Sequence, residues 1–131
     1  MIESITPPLK PQSIIQESMQ QICFRGNYEM VHLFSSEGLP IAEYYHDQVI
    51  DQDRLAELSL LLRNVKQMAD VMAGISSLKE MIVEGFNKRK IIFRFFTAFD
   101  QEVVLAAVVP PDRAYRGLTN RLIKMIEELK F

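Results

Sequence analysis

Apolar residues recur along this chain with two different periods, and the switches between them divide it into eight elements. From Gln12 to Cys23 the positions Ile14, Ile15, Met19, Ile22 and Cys23 fall at helical spacing, with Ser13 available as a cap, and predict a short amphipathic helix. Arg25-Gly26-Asn27 breaks that pattern, and the run Tyr28 to Ser35 is short enough for a strand. Ser36-Glu37-Gly38 then turns the chain into a second strand, Leu39 to His46, where Pro40 near the start marks an edge position.

A long helix is expected next. Asp51 is its N-cap, Ile50 and Leu55 are placed as a hydrophobic staple, Asp53 complements the helix dipole, and Gly74 is a natural stop. Leu55, Leu58, Leu62, Val65, Ala69 and Met72 repeat every three or four residues, and Leu61 and Met68 broaden them into a stripe expected to face the core. A second, narrower set, Ala56, Leu60 and Val71, lies opposite or beside it and would be left exposed by a monomer.

Three further strands are predicted at Leu78 to Phe86, Lys90 to Ala98 and Glu102 to Val109, with turns at Asn87-Lys88-Arg89 and Phe99-Asp100-Gln101. Pro110-Pro111-Asp112 ends the last, and Tyr115, Leu118, Leu122, Met125, Ile126 and Leu129 mark a closing amphipathic helix. The order α-β-β-α-β-β-β-α predicts an α+β domain, a five-stranded antiparallel sheet with helices on both faces. Three prolines between Thr6 and Pro11 give residues 1–11 as an extended arm and 12–131 as the single domain.

Composition agrees with one ordinary globular domain of 131 residues, 48% apolar and 24% charged. A net charge of -2 supplies no broad basic surface, so nucleic acid is not an expected partner. Cys23 is the only cysteine, which excludes an intrachain disulfide and a thiolate-rich zinc site and suits a reducing, cytoplasmic setting. The first residues do not read as a signal peptide, and the apolar runs fall short of the roughly 20 residues of a membrane-spanning helix.

The residues that carry chemistry read as structural. Cys23 sits at an apolar helical position and is expected to be buried, with a reactive thiol as the alternative. His32 and His46 lack an accompanying carboxylate motif, so packing or surface roles are preferred to a shared metal. Asn87-Lys88-Arg89-Lys90, with Arg94 beyond, reads as a solvated hairpin tip, the alternative being contact with phosphate on nucleic acid or with an anionic membrane. Arg113 and Arg116 stay open between the same two readings. Ser36-Glu37-Gly38 lacks the second glycine, the lysine and the helix of a phosphate loop. Met68 and Met72 read as core filler, with an adaptable binding surface as the alternative. No catalytic pair, metal cluster or cofactor motif emerges, and an enzyme is the least favoured class.

The element order, together with Ser36-Glu37-Gly38-Leu39-Pro40-Ile41-Ala42 at the first hairpin, resembles the roadblock / dynein light chain family of small regulatory domains. Leu78-Lys79-Glu80-Met81-Ile82-Val83-Glu84 is similar to that family's third strand, Val103-Val104-Leu105-Ala106-Ala107-Val108-Val109 to its fifth, and Gly117 also matches. The resemblance runs from about Ser13 to Leu129. It implies a roadblock/profilin-like fold and a homodimer, or a heterodimer with a related chain, in which third strands pair and second helices pack side by side. The implied dimer interface is Ala56, Leu60, Val71, Met81 and Val83.

Members of that family bind Ras-like small GTPases or serve as light chains on motor complexes, and bacterial-type relatives regulate a GTPase of the gliding-motility class. The resemblance therefore implies a non-enzymatic adaptor, regulator or scaffold without cofactor. Its GTPase would meet the outward positions of the second helix, Arg63, Asn64, Lys66, Gln67 and Asp70. No arginine sits in a recognisable finger loop, so Arg63 is only a candidate for an inserted arginine, and repositioning of the GTPase's own residues is the favoured route to any stimulation of hydrolysis. The alternative function is a PAS-like or GAF-like sensor that buries a small molecule between sheet and helices.

Overall fold

The computed structural model describes residues 10–46 and 52–129, with the side chains of 52–56, 58–60 and 63 outside the description. Its elements run α1 (Pro11–Gly26), β1 (Met30–Ser35), β2 (Pro40–Tyr45), α2 (Gln52–Ala73), β3 (Glu80–Glu84), β4 (Lys90–Ala98), β5 (Gln101–Val109) and α3 (Arg116–Glu128). The expected order and α+β class hold. All strand pairs are antiparallel, and the sheet order is β2-β1-β5-β4-β3.

β5 lies at the centre because it can be buried on both sides. Every residue from Val103 to Val109 is buried, and the alternation of a half-solvated strand is missing. Val103, Leu105, Ala107 and Val109 point into a core filled by α1 and α3, through Ile15, Met19, Leu122 and Ile126. Val104, Ala106 and Val108 point to the other face, where Met30, Phe34, Phe93 and the α2 residue Leu62 meet them. Helices thus cover both faces, two on one and α2 on the other.

Local chemistry explains the joints. Pro11 starts α1 at the first helical position, where its missing N–H is not needed, and Lys10 is the N-cap. Ser13 therefore lies inside the first turn and does not cap it; Pro11, assigned to the expected arm, belongs to α1, and residues 1–9 of that arm lie outside the description. Asn27 closes the helix in the left-handed region (φ 55), with its N–H on the Cys23 carbonyl. The first hairpin turns at Gly38 (φ 86), and the Ser35 hydroxyl accepts the N–H groups of Glu37 and Leu39 at 3.3 and 3.1 Å. Phe99 and Asp100, both at positive φ, form the two-residue turn between β4 and β5.

Gly74 (φ 64) ends α2 as expected, with its N–H on Asp70 O at 2.9 Å. Asp51 and Ile50 lie outside the described residues, and the side chain of Leu55 outside the described side chains, so the expected cap and staple stay expectations. β3 is shorter than predicted, five residues in place of Leu78 to Phe86, and it is not covered on both faces: Ile82 and Val83 are exposed.

Candidate interaction surface

The two edges of the sheet are not alike. β2 pairs only with β1, but α1 packs beside it, and Gln16 of α1 donates to the Glu43 carbonyl at 3.4 Å. β3 pairs only with β4 and carries Ile82 and Val83 open to solvent. Such an edge presents backbone donors and acceptors to a further strand. Register puts Met81 opposite Phe93 and Val83 opposite Ile91, on the face shared with α2. Met81 is half-buried against that cluster.

On α2 the structure corrects the sequence reading. Of the stripe expected to face the core, Leu62 is buried at 2% exposure and Ala69 is half-buried, but Val65 and Met72 are exposed, Met72 at 78%. Leu61 and Met68 are exposed too, and the side chains of Leu55 and Leu58 lie outside the description. The line that meets the sheet is Leu62–Lys66–Ala69. About a quarter turn away, Leu61, Val65, Met68 and Met72 form a second line at i, i+4, i+7 and i+11, apolar and uncovered. Met68 and Met72 are surface residues, contrary to their expected use as core filler. Val71, at 85%, and Ile75 extend the patch.

Lys66 was expected to point outward and does not. One turn beyond Leu62, its side chain is half-buried, its ammonium 4.9 Å from the Phe95 ring centroid and 3.8 Å from Glu102 Oε2. The aliphatic stem covers the sheet while the charge reaches its rim. Asn64, Gln67 and Asp70 are exposed, as expected of a solvated face, and the Arg63 side chain lies outside the description. The Ala56 and Leu60 side chains lie outside it as well.

The titratable residues are occupied structurally. Cys23 is buried, and desolvation pushes its thiol up to about 12, far from reactivity. His32 stacks on Phe34 with ring centroids 3.8 Å apart, and its Nδ1 meets the Tyr45 hydroxyl. Burial lowers its pKa to about 4 even though Glu43 Oε2 lies 3.3 Å from Nε2. His46 is exposed on the far end of β2. Among the described residues no three of His, Cys, Asp and Glu gather as a metal site.

Most of the basic cluster is paired, and it is not wholly a hairpin tip. Arg89 pairs with Glu29, Lys90 reaches Glu84 at 3.9 Å, and Arg94 leaves the tip to donate to Thr119 Oγ1 and Asn120 Oδ1 of α3. Arg116 pairs with Glu80 at 3.2 Å. Among the described residues no helix is long and apolar enough to cross a membrane.

The described residues thus form an α+β domain with one open strand edge and an exposed apolar line on α2. No protein-family model matches the sequence, and no curated protein matches it. Solved structures do match its fold. Myxococcus xanthus MglB superposes with a TM-score of 0.69 at 20% identity, over 88% of this chain and 90% of that one. An MglB with a tetrameric arrangement gives 0.69 at 15%, over 98% and 93%. A Roadblock/LC7 domain from Streptomyces avermitilis gives 0.61 at 15%, over 85% and 90%. The chain has the roadblock fold.

Proposed function

We propose that this chain is a non-enzymatic regulator or adaptor that self-associates through α2 and β3 and, as a dimer, binds a Ras-like small GTPase. Two observations carry the reading: the exposed apolar line Leu61–Val65–Met68–Met72, with Val71, on α2, and the open edge of β3 with Ile82 and Val83 exposed. Apolar side chains gathered in this way gain about 25 cal/mol for each Å² they lose to a partner, and an edge strand gains backbone hydrogen bonds. Likeness to MglB and to a Roadblock/LC7 domain supports a small-GTPase regulator of roadblock type, and the tetrameric arrangement of one MglB supports self-association.

In this reading Ala56, Leu60, Val71, Met81 and Val83 belong to the dimer contact. Asn64, Gln67 and Asp70, with Arg63, meet the GTPase, while Lys66 is committed to Phe95 and Glu102. Sedimentation should show a dimer that Val71→Glu and Val83→Glu each convert to monomer. A small GTPase from the same source, loaded with a GTP analogue, should bind the parent dimer and bind Asp70→Arg more weakly. A chain that is monomeric at every concentration rejects the proposal.

The sensor reading finds less support. The clefts at Lys66 and Phe95, at Val83 and Arg89, and at Arg25 and Arg113 open to solvent and are not chambers between sheet and helix.

A further inference from the structure

Across the sheet from α2, the end of α1 meets the start of α3 at a cleft of about 290 Å³. Arg25 from the last turn of α1, Arg113 just before α3 and Arg121 from its second turn all line it, with Gly117 and Leu118 between them. All three arginines are exposed. Among the described residues none of them has a carboxylate or hydrogen-bond partner, whereas Arg89, Arg94 and Arg116 each have one. Among the described residues the cleft thus gathers three guanidiniums without a carboxylate, a concentration of positive charge that favours an anion.

The backbone adds to the same field. Tyr115, the N-cap of α3, makes no side-chain cap bond, and the first turn holds no acidic residue, so the positive end of this helix at Gly117 and Leu118, which line the cleft, is not offset by its own side chains. A Cβ built on Gly117 would meet nothing within 4 Å, which leaves this approach open. Next to it, Arg25, Leu118 and Arg121 also border a groove of about 130 Å³ between α1 and α3, with Ile22, Leu122 and Met125 along it. That groove suits the organic part of an ester whose charged end lies among the arginines.

Each guanidinium offers paired donors matched to two oxygens, and three of them exceed what one carboxylate accepts. We propose that the cleft of Arg25, Arg113 and Arg121 binds a phosphate group, carried by a small soluble ester or by a phosphorylated lipid headgroup. It lies on the α1/α3 face, so it can fill while α2 and β3 are engaged.

The test titrates inorganic phosphate into the full chain while amide and arginine Nε resonances are followed. Saturable shifts at Gly117, Leu118 and the three arginines are expected. Arg113→Gln and Arg121→Gln should each weaken binding roughly tenfold. Lys88→Gln, which removes an exposed charge at the β3–β4 turn, should leave it unchanged. A second arm uses phosphatidylcholine vesicles with and without phosphatidylinositol phosphate. Binding to the charged vesicles that both arginine variants lose assigns the lipid source, and a response confined to phosphate assigns the soluble one. No saturable response in either arm, or an equal loss with Lys88→Gln, overturns the site. The same spectra report whether each variant is folded.

Discussion

The backbone of Gly26 lies against the ring of Tyr28, so that a Cβ built on the glycine would sit 2.6 Å from Tyr28 Cζ and 2.8 Å from Cδ1. The ring cannot move aside, because Tyr28 is fully buried and its hydroxyl donates to the Ala114 carbonyl at 2.8 Å. Helix propensity alone would have Gly26→Ala stabilise the protein by up to about 1 kcal/mol. The clash reverses that sign, and a net loss of about 1–3 kcal/mol is expected from urea unfolding. In a Tyr28→Ala background the penalty should largely disappear, since the atoms that collide are gone.

His32 ties stability to acid. Its folded pKa, about 4, lies below the ordinary imidazole value of 6.5, so in the window between them the unfolded chain binds more protons than the folded one. Stability should therefore be full above pH 6.5 and fall as pH drops toward 4, by on the order of 2 kcal/mol from this residue. His32→Gln keeps a polar group of similar reach without the titration. Urea unfolding at several pH values should show a shallower loss for the variant over that window, and parallel curves would contradict the assignment.

Much of the fold is legible in the residues, and the reasons differ by element. β5 can be recognised because Val103–Val109 is apolar without interruption, which only a strand covered on both faces tolerates. The turns are legible where a residue supplies positive φ cheaply, as at Gly38 and Gly74. The start of α1 is missed because Ser13 resembles a cap while Pro11 and Lys10 set the boundary. Arg94 reads as part of a basic tip because nothing in the chain signals that its partners lie 25 and 26 residues further on.

The face of α2 is where sequence patterning fails for a physical reason. Periodicity gathers Leu61, Leu62, Val65, Met68 and Met72 on one apolar arc, but does not say which of them meets the sheet. Lys66 misleads in the opposite sense, a charged residue whose stem lies on an aromatic ring. The methionines and the width of the apolar arc, more than one sheet-facing line needs, were the available signal for a surface beyond the core.

That division gives a direct comparison. Leu62→Ala empties a site packed against Met30, Phe34 and Phe93 and should cost about 2–4 kcal/mol. Met72→Ala, one end of the exposed line, should change the stability of the monomer by no more than about 0.5 kcal/mol. Both are best measured in a Val71→Glu background, so that the proposed self-association does not enter the unfolding equilibrium. A large loss from Met72→Ala in that monomer would return the residue to the core.

Arg94 fastens α3 to the sheet. Its Nη1 donates to Thr119 Oγ1 at 3.0 Å and to Asn120 Oδ1, while the Thr119 hydroxyl is itself bonded back to the Tyr115 carbonyl at 2.6 Å. Arg94→Ala removes two charge-assisted bonds but leaves Thr119 satisfied within its own turn, so the expected loss is about 1–3 kcal/mol and not a collapse of the helix. The loss should be local. Hydrogen exchange should speed up at the amides of Thr119 to Leu122 and stay unchanged across β1 and β5, whose pairing does not involve the arginine. Uniform acceleration over the whole sheet would mean that Arg94 supports the core itself and not the seat of α3.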